Sequence, residues 1–382
     1  MISFMGWRLS VLRSDRLTSQ STTDIGFLQT ALALAEGGRG KVSPNPLVGA
    51  VIVRDGQTIG EGFHAELGGL HAEREALEDC RRRGEDPAGA TMYVTLEPCA
   101  HQGRQPPCVE AILEAGIGRV VIASEDPSEK AAGRGPGILR DGGVEVAFAS
   151  GAEATAARRL NQPFRKHART GLPLVILKMA MSLDGETSPP PGDSPWISGP
   201  ESRDLVHGWR AECDAIAVGI GTALADDPLL TARIDGARQP KRVVFDSRAR
   251  LPLDSQLLKT LDQAPVLVVT GPDAPNERVA AIGDSGAETI IATDIESALR
   301  ELGRREVTSL FLEGGRTLAT AFLAAGQVDE SRTFIAPVLL GQSTSPPRPG
   351  EENIGRGRRP ALESTDERVG QDVLVIARFK EW

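Results

Sequence analysis

His71-Ala72-Glu73, Pro98-Cys99 and Pro106-Pro107-Cys108 restrict this chain more than any other feature of it. One imidazole and two thiols form a ligand set only if the backbone returns to one point three times. Residues two apart in a helix point about 200° away from each other. His71 and Glu73 therefore cannot share a site from mid-helix and converge only at a first turn, which Gly68-Gly69 just upstream permits. Cys108 follows two prolines and is likewise placed at a helix start, where the dipole of the peptide units favours a thiolate. The pattern predicts strands ending where helices begin, which is α/β architecture.

The chemistry of the set is equally narrow. A catalytic zinc takes three protein ligands and keeps one position for water. His71, through Nδ1 or Nε2, and the Cys99 and Cys108 thiolates fit that count. Glu73 is then no ligand but the acid/base that moves the water's proton to the ring nitrogen and the leaving amine. A structural zinc wants a fourth ligand; His101 is a candidate, but Glu73 is then left without work. His101 is otherwise open between a substrate contact and a bystander. Cys80 lies nine positions after His71, about 900° around a helix, and is read as core. Cys213 is read as structural, and His64, His167 and His207 as surface or satisfied histidines.

At 382 residues the chain is too long for one ordinary core, and two domains are expected. Four cysteines in this length make no disulfide scaffold, so a reducing, cytoplasmic setting is expected. A net charge of −9 argues against a nucleic-acid binder, which needs a basic face. No apolar run reaches the roughly 20 residues of a membrane span, so no membrane partner is expected. Residues 1–23 mix Arg8, Arg13 and Arg16 with Ser and Thr and read as a disordered arm rather than a signal peptide.

Along residues 24–150 the pattern predicts a helix from Asp24 to Glu36 capped by Asp24, and a strand over Leu47–Val53. Asp55-Gly56 is a hairpin turn into Thr58–Phe63. Helices are predicted over His71–Arg83, Val109–Ala115 and Gly137–Arg140, and strands over Thr91–Leu96, Arg119–Ala123 and Val144–Phe148. This is a three-layer α/β domain. Residues 151–171, polar and rich in Ala and Arg, read as a helical linker. A second α/β domain, 172–382, carries strands at Leu174–Met179, Ala215–Val218, Val243–Asp246, Val266–Thr270, Thr289–Ala292, Ser309–Glu313 and Val373–Phe379. Gln342–Arg359, rich in Pro, Gly and Arg, reads as a surface loop.

The run Ser43-Pro44-Asn45-Pro46-Leu47-Val48-Gly49, His71-Ala72-Glu73, and Tyr93 to Cys108 resemble the deaminase half of the bacterial riboflavin-biosynthesis deaminase-reductases. Eight residues separate Cys99 from Cys108, whereas nucleoside and tRNA deaminases usually have two. Asp126-Pro127 and Ala132-Gly133-Arg134-Gly135 match the same family, while Ser128 and Glu129 depart from it. The resemblance implies a cytidine-deaminase-like three-layer fold, one zinc per chain and Asn45 as a substrate contact.

In the second half, Lys178-Met179-Ala180-Met181-Ser182-Leu183-Asp184-Gly185, Trp196-Ile197-Ser198, Leu224 to Arg233, Asp246-Ser247 and Glu313-Gly314-Gly315 are similar to the reductase half of those enzymes. Gly-Gly at a strand-to-helix turn suits a phosphate, but no Gly-x-Gly-x-x-Gly dinucleotide fingerprint is present. The resemblance implies a dihydrofolate-reductase-like fold using NADPH, with the cofactor along Ala180, Trp196, Thr222, Asp226, Ser247 and Gly315. It places the substrate against Ser194, Arg210, Leu230, Arg233 and Glu313, with Lys178 orienting or protonating it. Pro189-Pro190-Pro191 and Pro195 depart from the usual polar turn. The expected partner is a small phosphorylated pyrimidine, and a homo-oligomer of unspecified size is expected. Two alternatives remain at this point: a nucleic-acid or nucleoside deaminase with an accessory domain, and a zinc-stabilised binding module without activity.

Overall fold

The computed structural model describes residues 22–102, 105–128, 132–189, 196–313, 315–341 and 360–382. Among these, the chain builds two sheets of five and nine strands. The arm over 1–21, Ser194 and the loop 342–359 lie outside the described residues.

The first sheet is made by β1 (Gly49–Arg54), β2 (Gln57–Phe63), β3 (Thr91–Val94), β4 (Arg119–Ile122) and β5 (Glu145–Phe148) in the order β2-β1-β3-β4-β5. Asp55 and Gly56 both take positive φ, 51° and 75°, as a tight hairpin turn requires. β1 is apolar from Gly49 to Val53 because both its faces are covered there. Ala50 and Ile52 pack on α2 (Ala72–Arg83), α3 (Cys108–Glu114) and α4 (Arg134–Asp141), whereas Val51 and Val53 pack on α1 (Thr22–Ala35). Asp24 is not the cap expected of it. It sits inside α1, is buried, and accepts from the Tyr93 hydroxyl at 2.7 Å and from Arg119 at 2.9 and 3.1 Å.

The stretch after β5 is helical, as its composition predicts. It forms α5 (Gly151–Leu160) and α6 (Gln162–Thr170), and Ala157, Asn161, Gln162, Arg165 and Lys166 are all buried. Its polar groups are buried because they face partners across the seam between the sheets. Lys166 Nζ lies 2.6 Å from Asp329, and Arg165 bonds Ser124, Glu125 and the Trp382 carbonyl.

The second sheet contains β6 (Leu174–Ser182), β7 (Ala215–Gly219), β8 (Lys241–Phe245), β9 (Val266–Thr270), β10 (Glu288–Ile291), β11 (Ser309–Glu313), β12 (Glu330–Ala336), β13 (Glu363–Val369) and β14 (Asp372–Arg378). The order is β10-β9-β8-β7-β11-β6-β12-β14-β13. The first seven in that order are mutually parallel, and β14 and β13 add an antiparallel hairpin. The helices α7 (Pro200–Glu212), α8 (Ile220–Asp226), α9 (Gln256–Lys259), α10 (Asn276–Asp284), α11 (Ile295–Arg304) and α12 (Arg316–Ala324) connect them. Two apolar clusters fill the two faces, one around Trp209, Phe311 and Phe334 and one around Leu299, Leu310 and Phe322. β12 and β13 were not expected from the sequence. β13 reads Glu-Ser-Thr-Asp-Glu-Arg-Val and is exposed almost throughout, so it carries no apolar signal of a strand.

Candidate functional site

α2 starts where β2 ends, and two contacts fix its placement. A side chain on Gly62 would meet Ala76 N at 2.3 Å and Ala72 O at 2.5 Å, so the bare glycine lets the helix lie against the strand. His71 is the N-cap residue in an extended conformation, and Glu73 stands in the first turn. The two converge as the spacing requires. Cys108 is the first residue of α3, and Arg74 of α2 donates to the Pro106 and Pro107 carbonyls at 3.3 and 2.9 Å, holding the loop in front of it.

His71 Nδ1 lies 3.5 Å from Cys99 Sγ and 3.3 Å from Cys108 Sγ, and all three donor atoms lie within 4.8 Å of one another. Zinc bonds of about 2.0 Å to nitrogen and about 2.3 Å to sulfur at a tetrahedral angle put N and S roughly 3.5 Å apart. The set therefore fits a zinc ion without rearrangement, through Nδ1 rather than Nε2. The Cys108 N–H points at Cys99 Sγ from 3.3 Å, and hydrogen bonding from the Cys108 thiol holds the Cys99 thiol down at about 4. Glu73 is buried, and burial first, then the Cys99 charge, pushes its carboxyl up to about 7. A carboxyl poised there both takes and gives a proton near neutral pH.

Two residues of this site were not singled out from sequence. His64 is buried, its ring 5.5 Å from that of His71. Its Nδ1 lies 2.9 Å from the Leu70 carbonyl and its Nε2 3.0 Å from Asn45 Nδ2. The expectation of a satisfied histidine is met, and what satisfies it is Asn45. Burial lowers its pKa, keeping the ring neutral so that Nε2 accepts from Asn45. Glu97, also buried, accepts from Asp126 N at 3.4 Å and so ties the cysteine loop to the Asp126 loop. The Glu-Pro-Cys run was the available signal. Cys80 and Cys213 are buried core residues, as expected.

The second set is spread along the C-terminal ends of β6, β7, β8 and β11, where open parallel sheets hold ligands. Ala180 lies in β6, Thr222 in α8 after β7, Ser247 just past β8, and Gly315 is the N-cap of α12 after β11. The Gly315 N–H donates to Thr222 Oγ1 at 3.3 Å, so two expected cofactor residues meet. Asp226 ends α8, and Trp196 is 61% exposed with Arg203 over its ring at 5.1 Å. Lys178 is opposite Glu313 in the β6–β11 register, and burial lowers its pKa.

Arg210 and Glu313 form a two-pronged ion pair at 2.6 and 2.8 Å, and Arg210 also donates to the Thr231 carbonyl at 3.1 Å. The arginine fork expected to face substrate is thus turned onto a carboxylate. Arg233 is exposed. Leu230 is buried and packs its side chain into the core. Asp227, Leu230 and Arg233 all take left-handed φ, 38°, 54° and 55°.

Fold and site together define a class: a zinc-dependent deaminase domain joined to an NADPH-dependent reductase domain. Residues 21–124 match the cytidine and deoxycytidylate deaminase zinc-binding region, and residues 173–375 match the RibD C-terminal domain. The riboflavin biosynthesis protein RibD of Actinobacillus pleuropneumoniae is 39% identical over 365 residues, covering 93% of this chain and 95% of that one. The protein of the same name from Escherichia coli is 40% identical over 337 residues, covering 82% and 88%. A crystal structure of a diaminohydroxyphosphoribosylaminopyrimidine deaminase/5-amino-6-(5-phosphoribosylamino)uracil reductase from Thermotoga maritima superposes with a TM-score of 0.82 at 34% identity. It covers 94% of this chain and 99% of the other. Acinetobacter baumannii RibD gives 0.80 at 37% identity with the same coverage. The chain belongs to the RibD family of bifunctional riboflavin-biosynthesis enzymes. No helix among the described residues is long and apolar enough to cross a membrane.

Proposed function

We propose that this chain deaminates 2,5-diamino-6-(5-phosphoribosylamino)pyrimidin-4-one and then reduces the ribosyl side chain to give 5-amino-6-(5-phosphoribitylamino)uracil. The observation that carries the first half is the convergence of His71, Cys99 and Cys108 beside the buried Glu73. His71, Cys99 and Cys108 would hold a zinc ion, which would lower the pKa of a bound water toward neutrality. Glu73 takes a proton from the attacking water and delivers it to the departing 2-amino group, which leaves as ammonia. Asn45, its amide fixed by His64, orients the pyrimidine.

Ala180, Trp196, Thr222, Asp226, Ser247 and Gly315 would hold NADPH, which would supply the hydride for the second reaction. The ribosyl C1′ gains the hydride, the ring C–O bond opens, and a proton is needed on the freed oxygen. Lys178, beside Glu313, is the residue we assign to orient that end and pass the proton. Arg233, Glu313 and Leu230 bind the substrate, the role the family resemblance implies for them and for Ser194. Arg210 acts with Glu313 as one unit. The division of labour is 24–150 for deamination and 172–382 for reduction, with α5 and α6 between. A homo-oligomer in the cytoplasm is part of the same reading.

Incubation with the diaminopyrimidine phosphate tests it. Without NADPH, one ammonia per substrate and the ribosylaminouracil are expected; with NADPH, the ribitylaminouracil. Reduction of the diamino compound before ammonia appears would reverse the order, and release of ammonia from single-stranded nucleic acid instead would favour the alternative deaminase.

A further inference from the structure

The segment Asp227–Arg233 has three non-glycine residues in the left-handed region, Asp227, Leu230 and Arg233. Such backbone is strained and persists only where the surroundings over-determine it. Four side chains from outside the segment do so. Gln256 donates its backbone N–H and its amide to Asp227, at 2.8 Å each. The fully buried Arg242 donates to the Leu229 carbonyl at 3.3 Å while anchored on Thr260 at 2.7 Å. Arg210 donates to the Thr231 carbonyl, and Gln239 Oε1 accepts from the Ala232 N–H at 2.9 Å.

Arg242 is unusual in having no carboxylate within bonding distance among the described residues; its partners are carbonyls and one hydroxyl. Its burial lowers its pKa, so the fold holds the cation there against its own solvation. Such an arginine serves geometry rather than charge neutralisation. Gln239 is half-buried and lines an open groove with Thr231 and Arg233. Like the exposed Gln256, it can be removed without opening the core, and unlike Gln256 it bonds the stretch next to Arg233.

We propose that Gln239 and Arg242 are positioning residues for the reductase: they hold Asp227–Arg233 in the strained shape that presents Arg233 to substrate. This rests on the reading above that the segment contacts substrate. Without the props, the segment relaxes toward ordinary backbone and Arg233 must be ordered at the moment of binding, which weakens affinity and leaves the hydride step alone.

Steady-state reduction of the deaminated substrate by the full chain decides it, with Gln239→Leu, Arg233→Ala and the double variant. Gln239→Leu is expected to raise the substrate KM on the order of five- to tenfold, the loss of one hydrogen bond and its ordering, with kcat and the NADPH KM within about twofold. A prop that acts through Arg233 has no further effect once Arg233 is gone, so the double variant should match Arg233→Ala. Strict multiplication of the two effects overturns the proposal. So does an unchanged KM in Gln239→Leu, and Arg233→Ala then separates the causes. If Arg233→Ala still raises KM, the segment binds substrate without needing the prop. If it does not, the substrate lies elsewhere.

Discussion

The two sites of this chain are built on opposite plans. The deaminase site is a point: three donor atoms within 4.8 Å of one another, set by two helix starts and one loop, with Glu73 beside them. The reductase site is a line: single residues from the ends of β6, β7, β8 and β11, none of which means much alone. A metal demands particular atoms at particular distances, so residue type carries the information. An extended cofactor demands a surface, and sheet ends with bare backbone supply it almost whatever the side chains. Loss of one residue should therefore abolish the first activity and only weaken the second.

The sharpest test of that contrast is Glu73→Gln. It removes no ligand, so about one zinc per chain should remain by metal analysis. Ammonia release should fall by at least about 10³-fold, because the proton carrier is gone, while reduction of supplied deaminated substrate is untouched. The substitution should also stabilise the fold. A carboxyl pushed up to about 7 by burial is neutral at pH 5 and charged at pH 8, whereas in the unfolded chain it ionises near 4.5. Its destabilisation grows as pH rises between those values. The gain in Tm for Gln over Glu, measured on metal-free protein, should therefore be larger at pH 8 than at pH 5. Near-normal ammonia release would sink the assignment. Cys99→Ser and Cys108→Ser should lose both metal and ammonia release and keep reductase activity.

On the reductase side the largest single effect should come from Arg210→Ala. It removes three hydrogen bonds and leaves Glu313 and the Thr231 carbonyl without their partner. The pair is mostly but not fully buried, so we expect a loss toward the lower end of the roughly 3–5 kcal/mol for breaking a buried pair. Reductase kcat/KM should fall about 100-fold, with lower stability of that domain. Arg233→Lys should cost about 1.5–3 kcal/mol in substrate binding, the range for a charged hydrogen bond, with no change in melting. If Arg210→Ala alters KM alone and not stability, Arg210 is a substrate clamp rather than the structural partner of Glu313.

The same contrast explains what could be read in advance. The ligand set was legible because His, Cys and Cys at helix starts have few other uses. Strands such as β9 and β11 matched residue for residue, because parallel strands covered on both faces are continuous apolar runs. β13 was not legible, since an exposed edge strand has no apolar face to declare. Buried Arg165 and Lys166 were also hidden: charged residues in a helix read as a solvated face until their partners are known, and those partners lie 40 and 163 positions away. The reductase residues came from resemblance, and resemblance did not reveal that the Arg210 fork is already engaged by Glu313.

The smallest expected effect on rates tests whether the point and the line are independent. Lys166 and Asp329 are both about 1% exposed and lie 2.6 Å apart in the seam between the sheets. Asp329 also accepts from Val175 N at 2.8 Å and the Trp382 indole at 3.1 Å, with Lys380 Nζ at 3.7 Å. Lys166→Met keeps the bulk of the stem and removes the charge. Asp329 is then a buried carboxylate with two neutral donors and one distant, partly exposed cation. Lys380 offsets part of the roughly 3–5 kcal/mol lost when a buried pair is broken, leaving on the order of 2–3. For a domain of this size that is a Tm lower by about 5–10 °C, at 2–4 °C per kcal/mol. No named site residue bonds Lys166 or Asp329, so kcat/KM for ammonia release and for reduction should each stay within about twofold. A fall in Tm with both rates intact establishes the seam as a fastening. A selective loss of one activity, measured well below the new Tm, would mean that the geometry of that site is set across the seam and that the two reactions are not independent.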